Sequence, residues 1–357
     1  MDFKKTYYIS AFFWKNYNAA SKAKIDVERI FQKMGFDSID LFKDKKNIRV
    51  FSIGKLFKLI FTSLFSKKYR HSDVFFQNGT GIDFFLAPIL KFIFRKGKRV
   101  IVIHDVETIR LGRKIDFIRE KSVFSKFTHA VCHSQQMANF LREELGFKGT
   151  IHILGLFDYI LENKLNDYKD LKVEELQFPN NDKFSIVYAG NLSKWKSGFL
   201  HKISEDNLLF KNYRLVLYGK GFDEAEKNEC LELKGAFPPD ELPYHLQGHF
   251  GLIWDGDDID KISGSVGRYL KYNSPHKASL YIVSGLPLIC WKEAAVFETI
   301  KKYNIGFGID SLKDLDEKLS NISEQEYYVW KSNTIKLKDK LAQGKNLEEI
   351  IRQILRS

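Results

Sequence analysis

The sequence predicts an α/β protein made of two doubly wound, parallel-sheet domains in tandem. Three observations carry this. Short β-branched and aromatic runs alternate with longer segments of helical period. The alternation comes as two series separated by a polar stretch, Glu162–Asp182. The chain has 357 residues, a length suited to two domains.

The first series of strands is predicted at Tyr7–Ile9, Asp73–Phe76, Arg99–Ile103, Ala130–Cys132 and Thr150–Leu154. The second is Phe184–Tyr188, Tyr213–Leu217, Leu231–Leu233, Gly251–Trp254 and Leu288–Cys290. Between them Ser21–Met34, Gln135–Glu144 and Ala278–Ser284 carry helical spacing, and Glu324–Arg356 reads as helix with no strand after it. No internal repeat or heptad run is present.

Composition narrows the class. Hydrophobic residues are 44% and charged residues 29% of the chain, which excludes disordered and low-complexity classes. Cys132, Cys230 and Cys290 are far apart and form no CxxC pair, so neither a disulfide framework nor a zinc site is expected. No stretch is apolar enough to span a bilayer, and MDFKKTYYIS lacks the features of a signal peptide. The expected location is cytoplasmic, extending to the inner face of the membrane.

Charge is segregated. Residues 1–150 hold 29 Lys and Arg against 14 Asp and Glu, whereas the remainder holds 28 against 31. Such a basic half faces a polyanion or an anionic membrane. Phe51–Phe65 mixes Phe and Leu with Lys55 and Lys58, and Ala87–Arg99 repeats the theme with Lys91, Arg95 and Lys96. An interfacial surface, a core-packing helix and an oligomer interface all accommodate this pattern.

Ligands of open α/β sheets sit beyond the carboxyl ends of strands. Strand Phe184–Tyr188 runs into Ala189-Gly190-Asn191, followed by Lys194 and Lys196, which could meet phosphate. Taken alone, this segment is better read as a turn with solvated lysines. Asn273-Ser274-Pro275-His276-Lys277 is more specific. Ser274 suits an N-cap, Pro275 a first helical position and Gly285 the position past the helix end. Lys277 then opposes the helix dipole, a placement that makes sense where an anion binds the N-terminus. An exposed lysine without a role fits the same residues.

Trp254-Asp255-Gly256-Asp257-Asp258 lacks the calcium-loop spacing, so substrate hydroxyls or solvent are better partners for it than a metal. His104-Asp105, at the end of strand Arg99–Ile103, can do acid/base work or bind sugar hydroxyls, or be a structural pair. Gly219-Lys220-Gly221 has Glu224 where a dinucleotide fingerprint needs glycine.

Together, YAGNLSKWK (188–196), FGLIWDGD (250–257), GRYLKYNSPHKASLYIVSGLPL (267–288), HDVETIR (104–110) and Asp158 of GLFDY (155–159) resemble a family. The resemblance is to bacterial β-1,6-galactofuranosyltransferases of O-antigen and polysaccharide synthesis. A more distant one is to the glucosyltransferases that extend GlcNAc on serine-rich adhesins. It implies a GT-B fold, two Rossmann-like doubly wound domains facing a cleft. The implied parts are an acceptor domain over 1–165, a nucleotide-sugar domain over 166–330 and a helical segment over 331–357.

The implied activity is transfer of a hexose, galactofuranose first, from a UDP-sugar to a glycan acceptor. Glucosyl or galactosyl transfer to a GlcNAc-modified protein and a non-catalytic GT-B partner subunit are the alternatives. Nucleotide contacts fall on Gly190, Asn191, Lys194, Lys196, Phe237, Asp255, Asp257, Ser274, Pro275, His276 and Lys277. Phe237 replaces a tyrosine of the glucosyltransferase relatives. Leu280 stands near the place of the glutamate of retaining GT-B enzymes, which weakens transfer of that mechanism to this chain. An inverting transfer needs one general base. Asp105 is preferred, then His104, then Asp158; Asn18, Ser21 and Lys22 fall on the acceptor side. No cofactor and no metal is expected. Expected partners are the UDP-sugar, a glycan acceptor that can be lipid-linked, an anionic membrane surface and a second copy of the chain. Nucleic acid is not among them, because no recognition motif accompanies the charge.

Overall fold

The computed structural model describes residues 5–10, 19–45, 48–65, 68–161, 177–179 and 182–357. Asn18 and most of the polar stretch 162–182 lie outside the described residues. The chain forms two units: Met1–Gly155 with Asn346–Ser357, and Leu156–Lys345.

The first unit holds strands β1 (Thr6–Ser10), β2 (Asp37–Asp40), β3 (Phe42–Lys45), β4 (Ile48–Phe51), β5 (Asp73–Gln77), β6 (Arg99–Val102), β7 (His129–Cys132) and β8 (Thr150–Ile153). Six of them form a parallel sheet ordered β2-β1-β5-β6-β7-β8, and β3-β4 is an antiparallel pair. The second unit holds β9 (Phe184–Asn191), β10 (Tyr213–Lys220), β11 (Leu231–Gly235), β12 (Phe250–Ile253), β13 (Leu288–Trp291) and β14 (Gly306–Ile309). These form a second parallel sheet, β11-β10-β9-β12-β13-β14.

Helices cover both faces of such sheets, so their central strands are buried along their length. Accordingly β5, β12 and β13 are buried at every position. In each unit strand order reverses once among the central strands, between β1 and β5 and between β9 and β12. Those reversals open the crevices where doubly wound folds hold ligands.

The division at Gly155/Leu156 differs from the boundary expected at 165 because the connecting segment packs into the second unit. Tyr159 N–H donates to the Leu341 carbonyl at 3.2 Å, Leu161 N–H to that of Ala342 at 3.3 Å, and Ser279 Oγ to that of Phe157 at 2.6 Å. The C-terminal region is not one continuous helix. Gly344, with φ of +75°, separates helix Glu324–Ala342 from helix Lys345–Arg356. The latter buries Leu347, Ile350, Ile351 and Ile354, a stripe of helical period, and belongs mostly to the first unit. There Asn346 Nδ2 donates to the Leu154 carbonyl at 3.0 Å, and Glu348 pairs with Lys33 at 3.4 Å.

Candidate active site

In the second unit the crevice between β9 and β12 gathers residues from three separate segments. β12 pairs with β9 only at Phe250↔Ile186 and Gly251↔Val187, and beyond this the two strands part. Tyr281, from helix His276–Val283, fills the gap, and its hydroxyl accepts the Ala189 N–H at 2.8 Å. Gly251 makes this possible, since a Cβ there would lie 2.2 Å from the Tyr281 ring.

The turn after β12 is tied to helix Lys194–Glu205. Gly256 N–H donates to the Lys196 carbonyl and Phe199 N–H to the Gly256 carbonyl, each at 3.0 Å. The helix is non-helical at Ser197, with φ −128° and ψ 42°, and Gly256 takes a φ of +107°. Ser197 Oγ lies 2.7 Å from the Asn191 carbonyl and 2.6 Å from the Tyr188 hydroxyl.

These constraints converge on Asp255. Its buried carboxylate receives Lys196 Nζ at 2.6 Å on one oxygen, and Lys277 Nζ at 2.9 Å and the Tyr188 hydroxyl at 3.0 Å on the other. Lys277 Nζ also sits 4.1 Å above the Tyr188 ring, a cation–π contact. Burial alone would raise the Asp255 pKa, but the two ammonium groups outweigh it and hold the carboxyl below its usual range. Burial lowers the Lys277 pKa, and neighbouring Lys196 adds to this, while Asp255 opposes both. Two ammonium groups share one carboxylate here, so the cluster carries an excess of positive charge.

Among the expected residues, the structure therefore brings together Lys196, Asp255 and Lys277. The helix begins one residue later than expected, with Pro275 at the N-cap position, His276 first and Lys277 second. Ser274 is buried just before the cap. His276 stacks on Tyr159 with ring centroids 4.8 Å apart. Gly190 and Asn191 are exposed at the end of β9, where the Asn191 carboxamide oxygen accepts the Ser193 N–H at 2.8 Å.

Three residues fall elsewhere. Lys194 pairs with Glu205 at 2.7 Å on the surface, and Phe237 stacks on His245 at 3.9 Å. Asp257 is exposed, its N–H donating to Ser263 Oγ at 3.0 Å. Sequence reasoning passed over Tyr188, Ser197 and Tyr281. The available signal was spacing, since Tyr281 lies four residues past Lys277 and so on the same helix face.

In the first unit, the carboxyl ends of β5 and β6 carry a second group of polar residues. Asn78 fixes the His104-Asp105 dipeptide, its Oδ1 accepting the His104 N–H at 2.7 Å and its Nδ2 donating to the Asp105 carbonyl at 2.6 Å. His104 Nε2 donates to Gln77 Oε1 at 2.7 Å, a tautomer set by that acceptor. Asp105 pairs with Arg110 at 3.2 Å, and Arg110 also holds Glu107 at 2.8 Å. Lys24 Nζ donates to the Gly79 carbonyl at 2.6 Å, and burial lowers its pKa against the pull of Asp83 and Asp105.

Lys22, expected on the acceptor side, is fully buried and paired with Asp26 at 2.7 Å. Ser21, half-buried, precedes it on the same helix. Asp158 is buried and belongs to the second unit, not to the unit carrying His104 and Asp105. Among the described residues no group of three or more His, Cys, Asp or Glu side chains could hold a metal ion, and no helix is long and apolar enough to cross a membrane.

Comparison with known proteins agrees with this architecture. The chain is 27% identical over 329 residues to the β-1,6-galactofuranosyltransferase WbbI of Escherichia coli K12, covering 89% of this chain and 92% of that one. Among solved structures, sucrose-phosphate synthase of Thermosynechococcus elongatus superposes with a TM-score of 0.62 at 10% identity, over 99% of both chains. Anabaena HepE, solved with UDP and glucose, superposes at 0.59 and 13% identity, over 99% of this chain and 100% of HepE. Residues 6–156 match the N-terminal domain of the glucosyltransferase 3-like family and residues 186–354 its C-terminal domain. The chain belongs to that family and is a glycosyltransferase of the GT-B fold.

Proposed function

We propose that the protein transfers galactofuranose from UDP-galactofuranose to a glycan acceptor in cell-surface polysaccharide synthesis. The observation that carries the donor half is the convergence of Lys196 and Lys277 on buried Asp255, at the crevice of the second unit and at the start of a helix. A diphosphate fits such a place because the first-turn N–H groups and the helix dipole favour an anion. The two ammonium groups carry one more charge than Asp255 neutralises. HepE, of the same fold, binds UDP and glucose. The choice of galactofuranose follows the likeness to WbbI.

Lys277→Ala should weaken UDP binding by about 1.5–3 kcal/mol, the scale of a hydrogen bond to a charged group. Unchanged affinity by calorimetry would remove the diphosphate from this helix. Donor identity is tested by incubating the enzyme with a panel of UDP-sugars and acceptor glycans and weighing the products by mass spectrometry. Transfer from UDP-galactofuranose alone is the expected result. Transfer from UDP-glucose would favour the glucosyltransferase branch of the family, and no transfer from any donor a partner-subunit role.

In this reading Lys196 and Lys277 neutralise the leaving diphosphate without a metal. EDTA should leave turnover unchanged, and a strict Mg²⁺ requirement would turn attention to Asp255 and Asp257. Leu280 is buried and apolar, so it supplies no carboxylate for a retaining mechanism. An inverting transfer then needs a base for the acceptor hydroxyl, which we assign to Asp105 of the first unit.

A further inference from the structure

The first unit presents an apolar surface that its own fold leaves uncovered. Helix Ile53–Phe65 buries Leu59 and turns Ile53, Phe57, Phe61 and Phe65 to solvent, the last three 65%, 65% and 77% exposed. Their spacing of four keeps them within an arc of about 120°. This helix touches helix Asp83–Ile93, which buries Leu86, Ala87, Leu90 and Ile93 and exposes Phe85 at 70% and Phe92 at 49%. Large aromatic side chains exposed together in this way mark an interaction surface.

The charge around them selects the partner. Lys58, Lys68, Lys91, Arg95 and Lys96 are all exposed along these helices and their ends. Residues 51–100 hold ten basic and two acidic side chains, and both acids are engaged with backbone. Asp73 accepts the Lys98 N–H at 2.6 Å, and Asp83 accepts the N–H groups of Gly79 and Thr80 at 2.6 and 2.9 Å. With ten basic groups against two acidic ones, the segment keeps a net positive charge. Against a second copy of the same face, like charges would oppose one another.

We propose that this face docks on an anionic lipid surface, with the phenylalanines entering the headgroup–acyl boundary and the lysines and arginines meeting lipid phosphates. Helix Ile53–Phe65, with 13 residues, is about 20 Å long, too short to span the hydrocarbon core, and so lies in the membrane plane. The inference stands apart from the donor chemistry, which resides in the other unit.

The test is co-sedimentation of the full chain with phosphatidylcholine vesicles, with and without roughly 30% phosphatidylglycerol, at low and high salt. Binding confined to the anionic vesicles and released by salt is expected. The double variant Phe57→Ser/Phe61→Ser, altered only at exposed positions, should lose binding while keeping the wild-type melting temperature. Lys91→Ala/Arg95→Ala should weaken it about 25-fold, at about fivefold for each basic group near the surface. Equal binding to neutral vesicles, or none to anionic ones, overturns the proposal. So does a dimer in sedimentation velocity that the phenylalanine variant dissociates in a chain that ignores vesicles.

Discussion

Asp255→Ala should destabilise the second unit by about 3–5 kcal/mol, because it removes the carboxylate between two ammonium groups and leaves them facing each other in a buried site. For a unit of this size that corresponds to a fall of roughly 10 °C in melting temperature, read by thermal unfolding. Asp255→Asn keeps the shape and loses the charge, and should show most of the effect. UDP should raise the melting temperature of either variant by more than it raises that of wild type, since the diphosphate then provides the missing negative charge. Melting temperatures equal to wild type would show that the lysines do not depend on Asp255.

The pH dependence follows from the direction of the shift. The folded-state pKa of Asp255 lies below its ordinary value of 3.8. Its contribution is therefore complete above that value and is lost as pH falls through the depressed one. The gap in melting temperature between wild type and Asp255→Asn should persist across the neutral and mildly acidic range and close only below about 3.8.

The sequence made the strand series, and with it the fold class, legible because central parallel strands are continuous apolar runs. It concealed β2 and β14, two of the four edge strands, whose sequences DSID and GFGI are polar or glycine-rich. The unit boundary was hidden for a different reason. Nothing local in Leu156–Leu161 tells that its backbone bonds to Leu341 and Ala342, nor does the helix Lys345–Arg356 announce that it belongs with the first unit.

At the site, Lys196, Asp255 and Lys277 could be named as candidates from the ends of strands and the start of a helix. Their convergence could not, since it depends on the kink at Ser197 and the close approach at Gly251, both tertiary facts. Lys194, named from the family resemblance, stands apart from this cluster. It lies two residues from Lys196, yet it pairs with Glu205 on the surface.

Asp105→Asn should lower turnover by 10²- to 10⁴-fold, the range for loss of a positioned general base, while leaving UDP affinity unchanged. The proposal of Asp105 over its neighbours rests on how each is held. Asn78 clamps the backbone on either side of the His104–Asp105 peptide, and Arg110 orients the Asp105 carboxylate from 3.2 Å while leaving its side chain 42% exposed. His104 instead uses its Nε2–H in a hydrogen bond to Gln77 Oε1, and Asp158 is buried in the other unit. Arg110→Ala then separates positioning from chemistry: it should reduce kcat by less than Asp105→Asn, because the carboxylate stays in place and loses only the side chain that orients it. The measurements are steady-state turnover and UDP calorimetry on each variant. Full turnover in Asp105→Asn with loss in His104→Gln would move the base to the imidazole. Loss of UDP binding in Asp105→Asn would assign the residue to donor binding instead.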